Sequence, residues 1–178
     1  MGKFTMKILC SGNPSDMTVA NGISKIFDNA EFASRTTGYD LRFWDKGSKS
    51  HFQNNISNYD VFINASFICG WGQHQLLETT FYEWERLGIH GHIINIGSTS
   101  EWEGVNSEFG TYTVQKQALQ SRSLQLNNVS GIKTTHMVIG GINDGKKEHR
   151  NWMPPADIAK TIKWILNNCN NIPLIAMV

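Results

Sequence analysis

Short apolar runs, set apart by longer stretches of helical spacing, constrain this chain more than any other feature. The runs are KILC (7–10), AEFAS (30–34), LRFW (41–44), DVFIN (60–64), HIINI (92–96), KTTHMVI (133–139) and PLIAM (173–177). Between them Val19, Ile23, Ile26 and Phe27 share one helical face, and so do Leu77, Phe81 and Trp84, with Leu87 nearly in line. Ile158, Ile162, Ile165 and Leu166 form a third stripe, in a segment (MPPADIAKTIKWIL) that begins with proline as a helix start should. Strand-like and helical segments in alternation predict an α/β fold: a doubly wound, mainly parallel sheet of about seven strands with helices on both faces. No linker, repeat or low-complexity tract interrupts the 178 residues, so a single domain over 1–178 is expected.

In such a sheet the ligand crevice lies beyond the carboxyl ends of the strands. Polar residues and glycines gather at those ends: Ser11-Gly12, Ser34-Arg35, Asp45, Asn64-Ala65-Ser66, Gly97-Ser98 and Gly140-Gly141. The least regular stretches, 99–111 and 140–153, fall at the same end. A net charge of +1 gives no field suited to nucleic acid or an anionic membrane. The opening MGKFTMKILCSG, broken by polar residues, reads as neither a signal peptide nor a membrane span. Cys10, Cys69 and Cys169 are odd in number and scattered, which fits a reducing, cytoplasmic setting. The histidines are dispersed, His90 and His92 have no ligand-spaced partners, and no metal site is expected.

The stretch SEFGTYTVQKQALQ places Tyr112 four residues before Lys116, on one face of a helix. A free phenol, with a pKa of about 10, is too weak an acid for proton transfer at neutral pH. A nearby ammonium favours the phenolate and lowers that value. The pair alone is a weak signal; the strand-end residues give it context.

With SGNPSDMTVANGI, FINAS, IINIGS, YTVQK, VIGGIND and PPADIAKTIKWIL in that order, the chain resembles the short-chain dehydrogenase/reductase family from about Lys7 to Met177. The resemblance implies a Rossmann-like, dinucleotide-binding domain. It also implies an NAD(P)H-dependent oxidoreductase that moves hydride between a nicotinamide and a carbonyl/alcohol substrate, a small molecule. Ser98, Tyr112 and Lys116 stand where the family has its catalytic groups: Tyr112 as acid/base, Lys116 tuning it and binding the nicotinamide ribose, Ser98 steadying the reacting oxygen. The loop after the first strand supplies Gly12, Asn13, Ser15, Met17 and Thr18 for the pyrophosphate, where a helix N-terminus favours anions. Ser34 and Arg35 end the second strand; an arginine there accepts a 2′-phosphate, which favours NADP, with NAD as the alternative. Asp45 matches the adenine-contacting position. Asn64, Ala65 and Ser66 match Asn-Ala-Gly after the next strand, small enough for the backbone to approach the cofactor. Ile139, Gly140 and Ile142 match the segment that meets the nicotinamide carboxamide, Ile139 standing in place of proline.

Departures from the family pattern are as informative. Of three loop glycines only Gly12 remains, and Asp16 adds a negative charge beside a phosphate site. Gly12, Thr18 and Ala20 match the spacing of the family's enoyl reductases, which makes an enoyl-thioester reductase one alternative. Those enzymes carry their tyrosine seven residues before the lysine, where this chain has Phe109. The family's helix asparagine has no clear counterpart, although Gln73 and His74 fall near its position, and the stretch after Gly141 is short for a substrate lid. These gaps motivate a second alternative, a non-catalytic dinucleotide-binding module. The family's habit implies a homodimer or homotetramer, paired through residues 72–88 and 112–126.

Overall fold

A computed structural model describes residues 6–41, 46–66, 71–102, 110–168 and 170–178. Six strands form one sheet: β1 (Ile8–Ser11), β2 (Ala30–Ala33), β3 (Val61–Asn64), β4 (His92–Ile96), β5 (Lys133–Ile139) and β6 (Leu174–Met177). Five helices connect them: α1 (Val19–Ile26), α2 (Lys46–Ile56), α3 (Gly72–Leu87), α4 (Gly110–Leu126) and α5 (Pro155–Asn167). The strand order is β2-β1-β3-β4-β5-β6, and every pairing is parallel.

Alternation along the strands builds two cores, one on each face of the sheet. Leu9, Phe62 and Ile93 face one way and pack under Phe52 and Ile56 of α2, Leu76, Leu77, Phe81 and Trp84 of α3, and Leu119 of α4. Their neighbours Ile8, Cys10, Val61, Ile63, Ile94 and Ile96 face the other way, onto Val19 and Ile23 of α1 and Ile158, Ile162 and Ile165 of α5. Both faces are therefore dry, which is why β1 and β3 read as unbroken apolar runs. Helices α1 and α5 meet at Gly22, where a Cβ would come within 2.0 Å of the Pro155 carbonyl oxygen. Among the described residues no helix is long and apolar enough to cross a membrane.

The expectation was about seven strands; six lie among the described residues. Leu41, the first residue of the supposed third strand, lies in a turn and is buried among the residues under α2; Arg42, Phe43, Trp44 and Asp45 lie outside the described residues.

The chain winds outward from β1 to β2, then returns past β1 to β3 and onward. The gap between the carboxyl ends of β1 and β3 is thus the topological switch point, where ligands of such sheets bind.

Candidate functional site

Two neighbouring cavities open at that end. The first, of about 580 Å³, is lined by Gly12, Asn13, Asp16, Ala33, Ser34, Arg35, Thr36, Tyr39, Leu41 and Ser66. Gly12 has a φ of +128°, and a side chain there would sit 3.1 Å from both Ala20 Cβ and Ser66 Oγ, so the small residues at 12 and 20 have a packing reason as well as a ligand reason. The Ser11 hydroxyl accepts the backbone N–H groups of Ala65 and Ser66 at 2.9 and 3.0 Å, fastening the turn after β3 to β1. Asn13 Oδ1 accepts the Ser15 N–H at 3.1 Å. Ser15 and Met17 are exposed on the loop toward α1. Thr18 is the N-cap of α1, yet its side chain makes no capping bond. Asp16 does not cap the helix either; it lines the same cavity as Arg35. Ser34 is buried and closes a short 3₁₀ turn, Arg35–Thr37, by a reciprocal pair of side-chain bonds with Thr37; this leaves Arg35 exposed at the cavity rim.

The second cavity, of about 560 Å³, lies past Thr18 and Ala65 between the ends of β4 and β5 and the start of α4. Ser98, Tyr112 and Lys116 all line it, as do Ile139, Gly140 and Ile142. Trp152 forms part of its wall, its indole lying on the bare backbone of Gly141. The Gly140 N–H donates to the Met177 carbonyl at 3.0 Å and so is committed to the sheet edge. Asn64 is a different case: it is fully buried, and its amide donates to the Gln73 carbonyl at 2.7 Å and to Asn95 Oδ1 at 2.9 Å. Its role is to hold β3, α3 and β4 together beneath the cavity.

Around Lys116 the polar groups interlock. Its Nζ donates to Gln73 Oε1 at 2.8 Å and to the Ile96 carbonyl at 2.7 Å. The Gln73 amide donates in turn to the carbonyls of Asn64 and Ile96, at 2.7 and 2.9 Å. Gln73 on α3 therefore occupies the neighbourhood in which the sequence offered no firm match, and it grips the lysine directly. Burial pulls the Lys116 ammonium down to about 8, against the opposing pull of the Glu101 charge. Tyr112 is hydrogen-bonded to Ser98, and the Lys116 Nζ lies 5.5 Å from its ring centre. Ser98 Oγ also accepts from Ser100, from the backbone N–H at 3.3 Å and the hydroxyl at 3.0 Å.

The expected lowering of the Tyr112 pKa is not what this arrangement produces. Burial pushes the phenol up, the Ser98 hydrogen bond pulls it partly back, and the Glu101 charge pushes it up again. Desolvation is the largest of these influences on the phenol.

Two residues that the sequence did not single out sit directly beneath Ser98. Glu101, in the 3₁₀ turn Thr99–Trp102, and His136, in β5, are both buried. His136 Nε2 lies 2.9 and 3.1 Å from the two Glu101 carboxylate oxygens. An ionisable residue inside the apolar run KTTHMVI was the available signal for a buried partner. Trp102 is exposed, and Asp45 and Phe109 lie outside the described residues.

No protein-family model and no curated protein sequence matches the chain. Solved structures do match it. One is a short-chain dehydrogenase from Streptomyces avermitilis, with a TM-score of 0.70 at 14% identity, covering 99% of this chain and 89% of the other. A second is a short-chain dehydrogenase from Sphingobium yanoikuyae in complex with NADPH, with a TM-score of 0.68 at 12% identity, covering 94% and 86%. A third is a 4-hydroxyisoleucine dehydrogenase complexed with NADH and succinate, with a TM-score of 0.72 at 16% identity, covering 96% of each chain. The six-stranded parallel sheet and its helices thus have the short-chain dehydrogenase/reductase fold.

Proposed function

We propose that this chain is a nicotinamide-dependent oxidoreductase of the short-chain family acting on a carbonyl/alcohol pair, with NADP(H) preferred. One observation carries the reading: Ser98, Tyr112 and Lys116 line a single cavity that adjoins the glycine-floored cavity at the switch point. The two cavities suit the two halves of a dinucleotide. Gly12 leaves space that a side chain would fill, and the loop from Asn13 to Thr18 leads into the N-terminus of α1, where backbone N–H groups favour phosphate. Ala65 and Ser66 would border the cofactor, Ser34 and Arg35 its adenosine ribose, and Ile139 and Ile142 its nicotinamide end. Asn64 acts from beneath, through the backbone it fixes. When bound, the nicotinamide supplies or accepts hydride at the substrate carbon.

The chain's own groups then handle the proton and the oxygen. Tyr112, kept protonated by burial, donates its phenolic proton to the carbonyl oxygen. The Ser98 hydroxyl holds that oxygen, and Lys116 stabilises the phenolate that results. A lysine held near 8 keeps most of its charge at neutral pH. The neighbours that carry NADPH and NADH support a nicotinamide cofactor of either kind, and the preference for NADP rests on Arg35. Tyr82, Val114 and Leu124, exposed apolar side chains on α3 and α4, support pairing of two copies through those helices.

Fluorescence titrations with NADPH and NADH, followed by a panel of carbonyl substrates, test the reading. Tyr112→Phe is expected to lower turnover by roughly 10²- to 10⁴-fold while leaving NADPH affinity within about twofold. Turnover that survives the substitution removes Tyr112 from its role. Cofactor binding without turnover on any carbonyl indicates the binding-module alternative.

A further inference from the structure

A buried carboxylate is costly unless every one of its acceptor positions is used, and Glu101 sits at the floor of the cavity with its side chain fully shielded. Its Oε1 accepts the Ser98 backbone N–H at 2.7 Å, and both oxygens face His136 Nε2. The Glu101 carbonyl accepts the Gln117 side-chain amide at 2.9 Å, tying the same turn to α4 one residue beyond Lys116. Gly97 makes the arrangement possible. A Cβ at that position would lie 2.2 Å from Glu101 Oε1 and 2.3 Å from His136 Nε2. The carboxylate and imidazole meet in the space where a side chain of residue 97 would be.

We propose that Glu101, clamped by His136, is a positioning residue of this pocket: its carboxylate fixes the Ser98 backbone and thereby aims the hydroxyl that meets Tyr112. The proposal rests on the pocket described under the proposed function. Three ends of the Ser98 segment are fastened at once, to β5 through His136, to α4 through Gln117, and to itself through the Ser98 N–H. A charge-assisted bond from a backbone N–H to a carboxylate is among the stronger ones a turn can make. The titratable groups facing Glu101 from the elements packed against its turn are His136 on β5 and Tyr112 and Lys116 on α4. On both α4 groups the Glu101 charge favours the protonated form, opposing burial at Lys116 and adding to it at Tyr112. The same carboxylate that places Ser98 thus helps keep Tyr112 a proton donor.

The test uses the full chain without cofactor or substrate. Two signals are followed by NMR: the Ser98 backbone amide, and the ring carbon of Tyr112 bearing oxygen, titrated with pH and identified by its absence in Tyr112→Phe. In Glu101→Ala the Ser98 amide resonance moves upfield. Glu101→Gln keeps an acceptor for the Ser98 N–H but no charge, so the amide returns toward its wild-type position while Tyr112, still bonded to Ser98, titrates at lower pH than in the wild type. A purely structural role would be rescued by glutamine in both signals. A Ser98 amide unchanged in Glu101→Ala overturns the proposal, and so does a wild-type Tyr112 curve in Glu101→Gln, which decides the matter should the alanine variant fail to fold. Because no readout needs turnover, failure of the oxidoreductase reading leaves this result standing. Equally, loss of turnover in Tyr112→Phe with both signals unmoved by Glu101 substitution rejects this proposal alone.

Discussion

The two ends of the crevice are built differently. At the β4–β5 end, Gln73, Lys116, Glu101, His136 and Ser98 form a buried mesh in which nearly every polar group has a partner within about 3 Å. At the β1–β2 end, Asp16 and Arg35 are exposed, and local turn bonds order the backbone around them. One end is fixed by interior hydrogen bonds; the other presents solvent-exposed charges on a frame of local turn bonds. On the proposed function, the difference teaches that precise placement is concentrated where the proton would move, while the cofactor's outer half would meet exposed side chains.

The largest expected effect comes from overfilling the tight end. Gly97→Ala drives a methyl group into the Glu101–His136 contact, and neither side chain can swing into solvent. The expected cost is about 3 kcal/mol of folding stability. At the open end, Gly12→Ala meets its neighbours at 3.1 Å and a φ of +128°, and the expected cost is about 1.5 kcal/mol, chiefly backbone strain. Urea unfolding of both variants checks the ranking. Equal costs would mean that the mesh is looser than its geometry.

The same contrast governs what could be read from the sequence. Strands β1 to β6 were legible because short apolar runs ended by polar residues are local patterns, and Ser98, Tyr112 and Lys116 were singled out by the family resemblance set on those runs. Glu101 and His136 were not, and Gln73 was read only as a residue near the position of the family's helix asparagine. Each is a single polar residue in an otherwise ordinary helix, turn or strand, and its meaning comes from a partner 35 or 43 positions away. Of the expected strand at 41–44 only Leu41 is described: it lies in a turn and anchors that turn to the core, a use that short-range pattern cannot tell from a strand.

An intermediate effect probes the buried lysine by pH. Unfolded, Lys116 holds its proton up to its ordinary value near 10.4; folded, it releases it near 8. Between those values the unfolded chain binds more protons, so this residue makes stability rise with pH. From pH 8 to pH 10 the expected contribution is about 2 kcal/mol. Lys116→Met lacks that rise, although it loses bonds to Gln73 and Ile96 at every pH. The buried tyrosines act in the other direction: their folded values are raised, so their contribution falls once the unfolded phenols ionise near pH 10. The informative quantity is therefore the wild-type minus variant difference at or below pH 10, from urea midpoints at four pH values. A difference that stays flat shows that Lys116 keeps an ordinary pKa.

The smallest effects belong to the open end, where water screens every charge. Arg35→Ser removes the cation at the rim of the first cavity and is expected to weaken NADPH binding roughly fivefold to tenfold, about 1 kcal/mol, with NADH nearly unchanged. Asp16→Asn removes the opposing charge and is expected to strengthen NADPH by about twofold to threefold. Both effects shrink as salt shortens the screening length from about 10 Å at 0.1 M to about 3 Å at 1 M. Fluorescence titration at the two salt concentrations separates a phosphate read by charge from one read by shape. If Arg35→Ser weakens NADPH and NADH alike, the arginine does not read the 2′-phosphate. Any preference for NADP would then have to come from Ser34 and Thr36, whose hydroxyls lie 2.8 Å apart on the same turn and whose contribution, being uncharged, would persist at 1 M salt.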